Sequence, residues 1–169
     1  MELLKNEAYL TKLLANCGLL SAAQTKMLSV QRSQQRHLLL KAQQGKRRPG
    51  PGGAEEPDLV DILASMHLEI PGKKGQPLTE EHIMRAVARD LKLPFKKLDP
   101  LKLDMDIVTK TIPRSFAINN MILPFEIRNG VLEVVSCNPD NRTVLEDIEQ
   151  ATQLKVQRYL STRNDIRKM

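Results

Sequence analysis

From Glu2 to Gly18 the apolar residues Leu3, Leu4, Ala8, Leu10, Leu13, Leu14 and Cys17 recur at three- and four-residue steps, the period of an amphipathic helix. Gly18 is a natural stop, and Ser21 is placed to cap a second helix running through Met27, Leu28 and Val30 toward Ala42. The spacing predicts an antiparallel helical pair. A third helix is expected from Pro57 and Asp58, with Leu59, Val60, Ile62, Leu63 and Met66 on its apolar side and Asp58 as its cap, ending before Pro71. After a Pro/Gly/Lys loop at 71–77, Thr79 followed by Glu80, Glu81 and His82 opens a fourth helix that Pro94 closes.

Beyond Pro94 the periodicity changes. Short helical segments are expected around Asp104–Lys110 and after Pro113, then strands at Met121–Ile127 and Val131–Cys137, flanking Arg128-Asn129-Gly130. Asn-Gly between two alternating apolar runs is the strongest hairpin signal in the chain. Asp140–Gln150 reads as a helix, Lys155–Leu160 alternates as a strand, and Ser161 is the expected cap of a last helix. The fold class predicted is α+β: an N-terminal helical pair, a linker, then helices packed on a small, mostly antiparallel three-stranded sheet. The corresponding division is residues 1–44, a flexible basic Pro/Gly linker at 45–57, and an α/β domain at 58–169.

Composition sharpens this picture in three ways. The chain of 169 residues is 41% apolar but only 3% aromatic and has no Trp, so its core rests on aliphatic side chains and it offers no base-stacking platform. The formal charge of +6 sits in the first third, where nine Lys/Arg in residues 1–53 face only Glu2 and Glu7. An anionic surface could exploit that segment, although no specific nucleic acid partner is expected. Cys17 and Cys137 are isolated, which suggests neither a disulfide framework nor a zinc site, and charged residues interrupt the first apolar stretch, so a cytoplasmic chain is expected.

No catalytic constellation emerges. The Walker A spacing is absent, and Gly72-Lys-Lys-Gly-Gln-Pro-Leu-Thr79 reads as an inter-helix loop because no strand precedes it. His37, His67 and His82 lie on separate segments without i, i+4 partners, and Glu80/Glu81 and Asp104/Asp106 read as helix N-terminal charge. The sequence therefore predicts no catalytic residue, no metal ligand and no cofactor.

An internal repeat is visible. Tyr9-Leu-Thr-Lys-Leu-Leu-Ala-Asn-Cys-Gly-Leu-Leu-Ser21 aligns with Asp58-Leu-Val-Asp-Ile-Leu-Ala-Ser-Met-His-Leu68, and the second copy resumes at Leu78-Thr79 after an inserted loop. Together with Leu93-Pro-Phe95, Asp99-Pro100, Ile112-Pro113, Ala117, Leu123-Pro-Phe125, Gly130-Val-Leu-Glu-Val134, Asn138-Pro139 and Ser161…Asp165-Ile166, it resembles the N-terminal domain of the type II secretion and type IV pilus assembly ATPases. That resemblance implies a non-catalytic docking domain at the inner face of the bacterial inner membrane. Its implied partners are the cytoplasmic domain of an inner-membrane platform protein and the motor domain of the same ATPase, with membrane association indirect. It also implies an alternative, cyclic di-guanylate sensing, through two copies of a pattern that begins Arg-Leu-Gly. The matching positions here are Tyr9, Leu10, Leu14 and Gly18 in one copy and Asp58, Leu59 and Leu63 in the other. Both arginines and the glycines that follow them are replaced, so docking is the expected function.

Overall fold

The computed structural model describes Leu4 and residues 6–44, 59–140 and 142–168. They fall into two compact units, Met1–Ala86 and Val87–Met169. The expected linker at 45–57 and the expected cap Asp58 lie outside the described residues.

In the first unit, α1 (Glu7–Asn16) starts where the Asn6 side chain accepts a bond from the Tyr9 amide and buries Leu10, Leu13 and Leu14. It ends in a Schellman turn. Gly18 takes φ +71, its amide bonds to Ala15 O at 3.1 Å, and the Leu19 amide reaches back to Leu14 O at 2.8 Å. α2 (Ala22–Gln44) then opens with a reciprocal cap: the Gln24 amide donates to Ser21 Oγ at 3.2 Å, while the Ser21 amide donates to Gln24 Oε1 at 2.9 Å. An ion pair between Arg32 and Glu7 ties α2 to the start of α1, as an antiparallel pair requires.

The second copy repeats these devices with different residues. α3 (Leu59–Ser65) buries Leu59, Val60, Ile62 and Leu63, packs on α2, and is followed by His67 at φ +48, the repeat position held by Gly18. α4 (Glu80–Asp90) opens with the same reciprocal cap, the Thr79 amide donating to His82 Nδ1 at 3.2 Å and the His82 amide to Thr79 Oγ1 at 3.4 Å. The inserted loop is two successive type II turns, Ile70–Lys73 and Lys73–Gln76, each with a positive-φ glycine third (Gly72 and Gly75), closed by Ile70 amide to Gln76 O at 2.9 Å. The repeat is structural as well as sequential.

The second unit is built on three strands in the order β1 (Ile122–Arg128), β2 (Val131–Ser136), β3 (Lys155–Leu160). β1 and β2 form the expected antiparallel hairpin, whose two-residue turn has Asn129 at φ +51 and Gly130 at φ +74, the type I′ geometry. β3 joins β2 in parallel, because α7 (Arg142–Thr152) returns the chain to the same end of the sheet before β3 begins. Helices α5 (Met105–Lys110) and α6 (Arg114–Asn120) lie on β1, and α8 (Arg163–Arg167) on β2.

The sheet is covered on both faces. One core gathers Leu98, Leu123, Phe125, Val135, Cys137 and Ile166, and the other Ile112, Ile122, Leu132, Val134 and Ile148. A bulge between Pro124 and Glu126 lets Leu123 and Phe125 both enter the first core. α5 straddles the β1 side, giving Val108 to the first core and Ile107 to the second.

Two sequence expectations are corrected. Met121 is not the first strand residue, because at φ +49 it terminates α6 and the strand begins at Ile122. Ser161 does not cap the last helix. Its amide continues the sheet by bonding Ser136 O at 3.1 Å, which turns its side chain into the protein, so Thr162 becomes the first residue able to accept from the Asp165 amide, at 3.0 Å.

The repeat predicts opposite signs for two substitutions at equivalent positions. Nothing lies within 4 Å of a methyl group added at Gly18, so Gly18→Ala should lose only conformational energy, about 1–2 kcal/mol. His67→Gly should relieve the same strain against the entropy of a glycine, a gain of about 0.5–1 kcal/mol. Chemical unfolding of the two variants beside the parent chain checks this.

Candidate docking surface

The residues singled out from the degenerate repeat have structural roles. Leu10, Leu14 and Leu63 are fully buried, Leu59 is buried, Tyr9 is half-buried in the first turn of α1, and Gly18 shapes the turn. Asp58 lies outside the described residues. The four leucines thus serve the core.

A different set of residues forms the polar surface of the second unit. Strand alternation puts Val131, Glu133 and Val135 of β2 on the face of the first core, and register brings Arg128, Glu126, Gln157 and Tyr159 to that face from the neighbouring strands. Toward the hairpin turn the apolar cover ends. Glu126 and Glu133 are direct cross-strand partners, an arrangement of like charges that needs compensation. Arg128 Nη2 supplies it with a bond of 2.7 Å to Glu126 Oε1, and the Tyr159 hydroxyl donates to Glu133 Oε1 at 3.2 Å. The Tyr159 ring packs edge-on against Phe125 with centroids 5.5 Å apart, and Lys96 Nζ lies 4.3 Å above the Phe125 ring. Lys96 is held there because its amide bonds Leu160 O at 2.9 Å, extending the outer edge of β3.

These contacts set the protonation of the cluster. The Arg128 guanidinium, hydrogen-bonded to Glu126, holds that carboxyl below the usual glutamate range, and the same bond raises Arg128. Partial burial pushes the Tyr159 hydroxyl up, with the Glu133 carboxylate adding to the effect. On the opposite face Arg158 is lowered by desolvation; its Nη1 donates to Pro139 O at 2.8 Å. The arrangement has two carboxylates, two cations, a phenol and an aromatic face fixed on a sheet, which suits recognition of a polar protein surface. Among the described residues no group of three or more His, Cys, Asp or Glu could hold a metal.

Sequence reading did not single out Lys96, Glu126, Arg128, Glu133 or Tyr159. A signal was present in the alternation Glu126, Arg128 and Glu133 across the Asn-Gly turn, which puts the three on one face. Their meeting with Lys96 and Tyr159 depended on the parallel register of β3 and on the 94–96 bridge.

Residues 91–169 match the MshEN domain family. This segment is an MshEN domain. It contains the whole sheet, both cores and all five residues of the polar surface, and it agrees with the resemblance to the N-terminal domain of type II secretion and type IV pilus ATPases. The structure is similar to MshE with cdg, at 19% identity and a TM-score of 0.56, over 94% of each chain. It is also similar to the N-terminal domain of XpsE, at 18% identity and a TM-score of 0.44, over 88% of this chain and 94% of that one. The likeness to MshE shows a common fold. No curated protein matches the sequence.

Glu126 titrates lower in the folded MshEN domain than in the unfolded chain, so its stabilising contribution is present above the unfolded value and is lost as pH falls through the folded one. Arg128→Met leaves Glu126 facing Glu133 alone. The variant should be less stable than the parent at neutral pH and should lose less on acidification, so that the two melting curves converge in the carboxylate range. Thermal unfolding across that range is the measurement.

Proposed function

We propose that this chain is a docking and regulatory domain of a type II secretion or type IV pilus assembly ATPase. It binds the cytoplasmic domain of an inner-membrane platform protein, at the inner face of the bacterial inner membrane, and couples that contact to the motor domain of the same ATPase. In this reading 45–57 is a flexible linker between the helical pair 1–44 and the docking part 58–169. The observation that supports it is the Lys96, Glu126, Arg128, Glu133 and Tyr159 surface within the MshEN domain. Such a surface combines the residues enriched at protein contacts, Tyr and Arg, with a scaffold that keeps their ordering cost low. Catalysis is left to the motor.

Capture of the chain by an immobilised platform cytoplasmic domain tests this reading. Arg128→Glu, which reverses the central cation of the cluster, is expected to weaken capture at least about tenfold. Retention equal to that of the parent chain would remove the surface from the proposal.

A second reading, cyclic di-guanylate sensing, draws on the fold shared with MshE, whose structure carries cdg, and on the paired repeat. Tyr9 and Asp58 stand where the repeat pattern has Arg, and Thr11 and Val60 stand where it has Gly. An arginine fork and a stacking plane are thereby lost, and Asp58 brings a like charge to a phosphate. Calorimetry with cyclic di-guanylate is therefore expected to give no heat. Saturable binding would put sensing ahead of docking.

A further inference from the structure

The platform reading leaves α2 without a use, and α2 carries two parallel stripes one residue out of step. Gln24, Leu28, Gln31, Gln35 and Leu39 recur at three- and four-residue steps and are all half-buried or buried. Ala23, Met27, Val30, Gln34, Leu38 and Lys41 recur at the same steps and are all exposed. The second stripe includes Met27 at 44%, Val30 at 79% and Leu38 at 57% exposure. Three large apolar side chains aligned on one uncovered helix face call for a partner, whereas scattered ones would not.

Charge indicates which partner. From Ala22 to Gln44 there is no acidic residue, but there are Lys26, Arg32, Arg36 and Lys41. Arg32 is engaged by Glu7 of α1, whereas Lys26 and Lys41 are exposed and have no ion pair among the described residues. Lys26 flanks the exposed stripe and Lys41 continues it. Long lysine stems can lie along an apolar boundary while their ammonium groups reach phosphates. The geometry points to α2 lying on an anionic lipid surface, with Met27, Val30 and Leu38 in the headgroup boundary and Lys26 and Lys41 on lipid phosphates. Lying flat is the only such mode open to it, since no helix of the described residues is long and apolar enough to cross a membrane. Nucleic acid fits less well, because α2 has no aromatic residue to stack a base and its apolar stripe would have no role on a phosphodiester backbone.

The test uses the full chain with no platform protein, so its outcome is independent of the docking proposal. Co-sedimentation with phosphatidylcholine vesicles is compared with vesicles of equal parts phosphatidylcholine and phosphatidylglycerol. Binding to the anionic vesicles is expected, about tenfold or more tighter than to the neutral ones. Both the charge variant Lys26→Gln with Lys41→Gln and the apolar variant Met27→Ser with Val30→Ser and Leu38→Ser should lose about tenfold or more. A control, Lys102→Gln with Lys110→Gln in the second unit, should bind as the parent does. All the substituted side chains are exposed, and circular dichroism confirms that each variant is folded. Equal binding to both vesicles, loss in the charge variant but not the apolar one, or equal loss in the control would overturn the proposal.

Discussion

The second unit depends on one constraint: β2 is buried on both faces. Its side chains alternate between two separate cores, Leu132 and Val134 into one and Val135 and Cys137 into the other. A one-residue slip would exchange every partner and send Glu133 into an apolar core, so the register of the whole sheet is tied to this strand. The I′ turn sets β1 against it, and the α7 crossover sets β3. Each neighbour inherits its facing from β2.

The polar surface follows from the same constraint. Once Val135 and Cys137 must face the first core, Glu133 must share that face, farther toward the turn, where the cover of Leu98, Ile166 and Tyr159 runs out. Glu126 then falls directly opposite Glu133. Arg128, two residues along the same strand, necessarily points the same way and neutralises the pair. A cluster suited to a partner thus arises where the apolar cover of a two-faced sheet ends.

In the first unit the organising device is local. Each copy of the repeat ends its first helix in a left-handed residue and opens its second with a reciprocal side-chain cap. In the first copy Gln24 also donates from Nε2 to Glu69 O at 2.6 Å, so a cap of one copy holds the loop of the other. That bond joins residues 45 positions apart, which explains how the inserted loop at 70–77 is accommodated without disturbing the helices. The repeat persists as architecture where its nucleotide-binding residue types are gone.

The helices, the hairpin and the repeat were legible in the sequence because periodicity, Gly18, Asn129-Gly130, Ser21 and Thr79 act over a few residues. The same local logic failed at Ser161 and Met121. At Ser161 a sheet bond from a distant strand overrode a good capping residue, and at Met121 a helix end took a left-handed conformation that Met rarely adopts. Sequence alone determined the elements, their order and the absence of a phosphate-binding loop. Tertiary structure decided the parallel register of β3, the meeting of Lys96, Glu126, Arg128, Glu133 and Tyr159, and which stripe of α2 is left bare. Those outcomes rest on pairing and burial between segments far apart in the chain, which no short-range preference encodes.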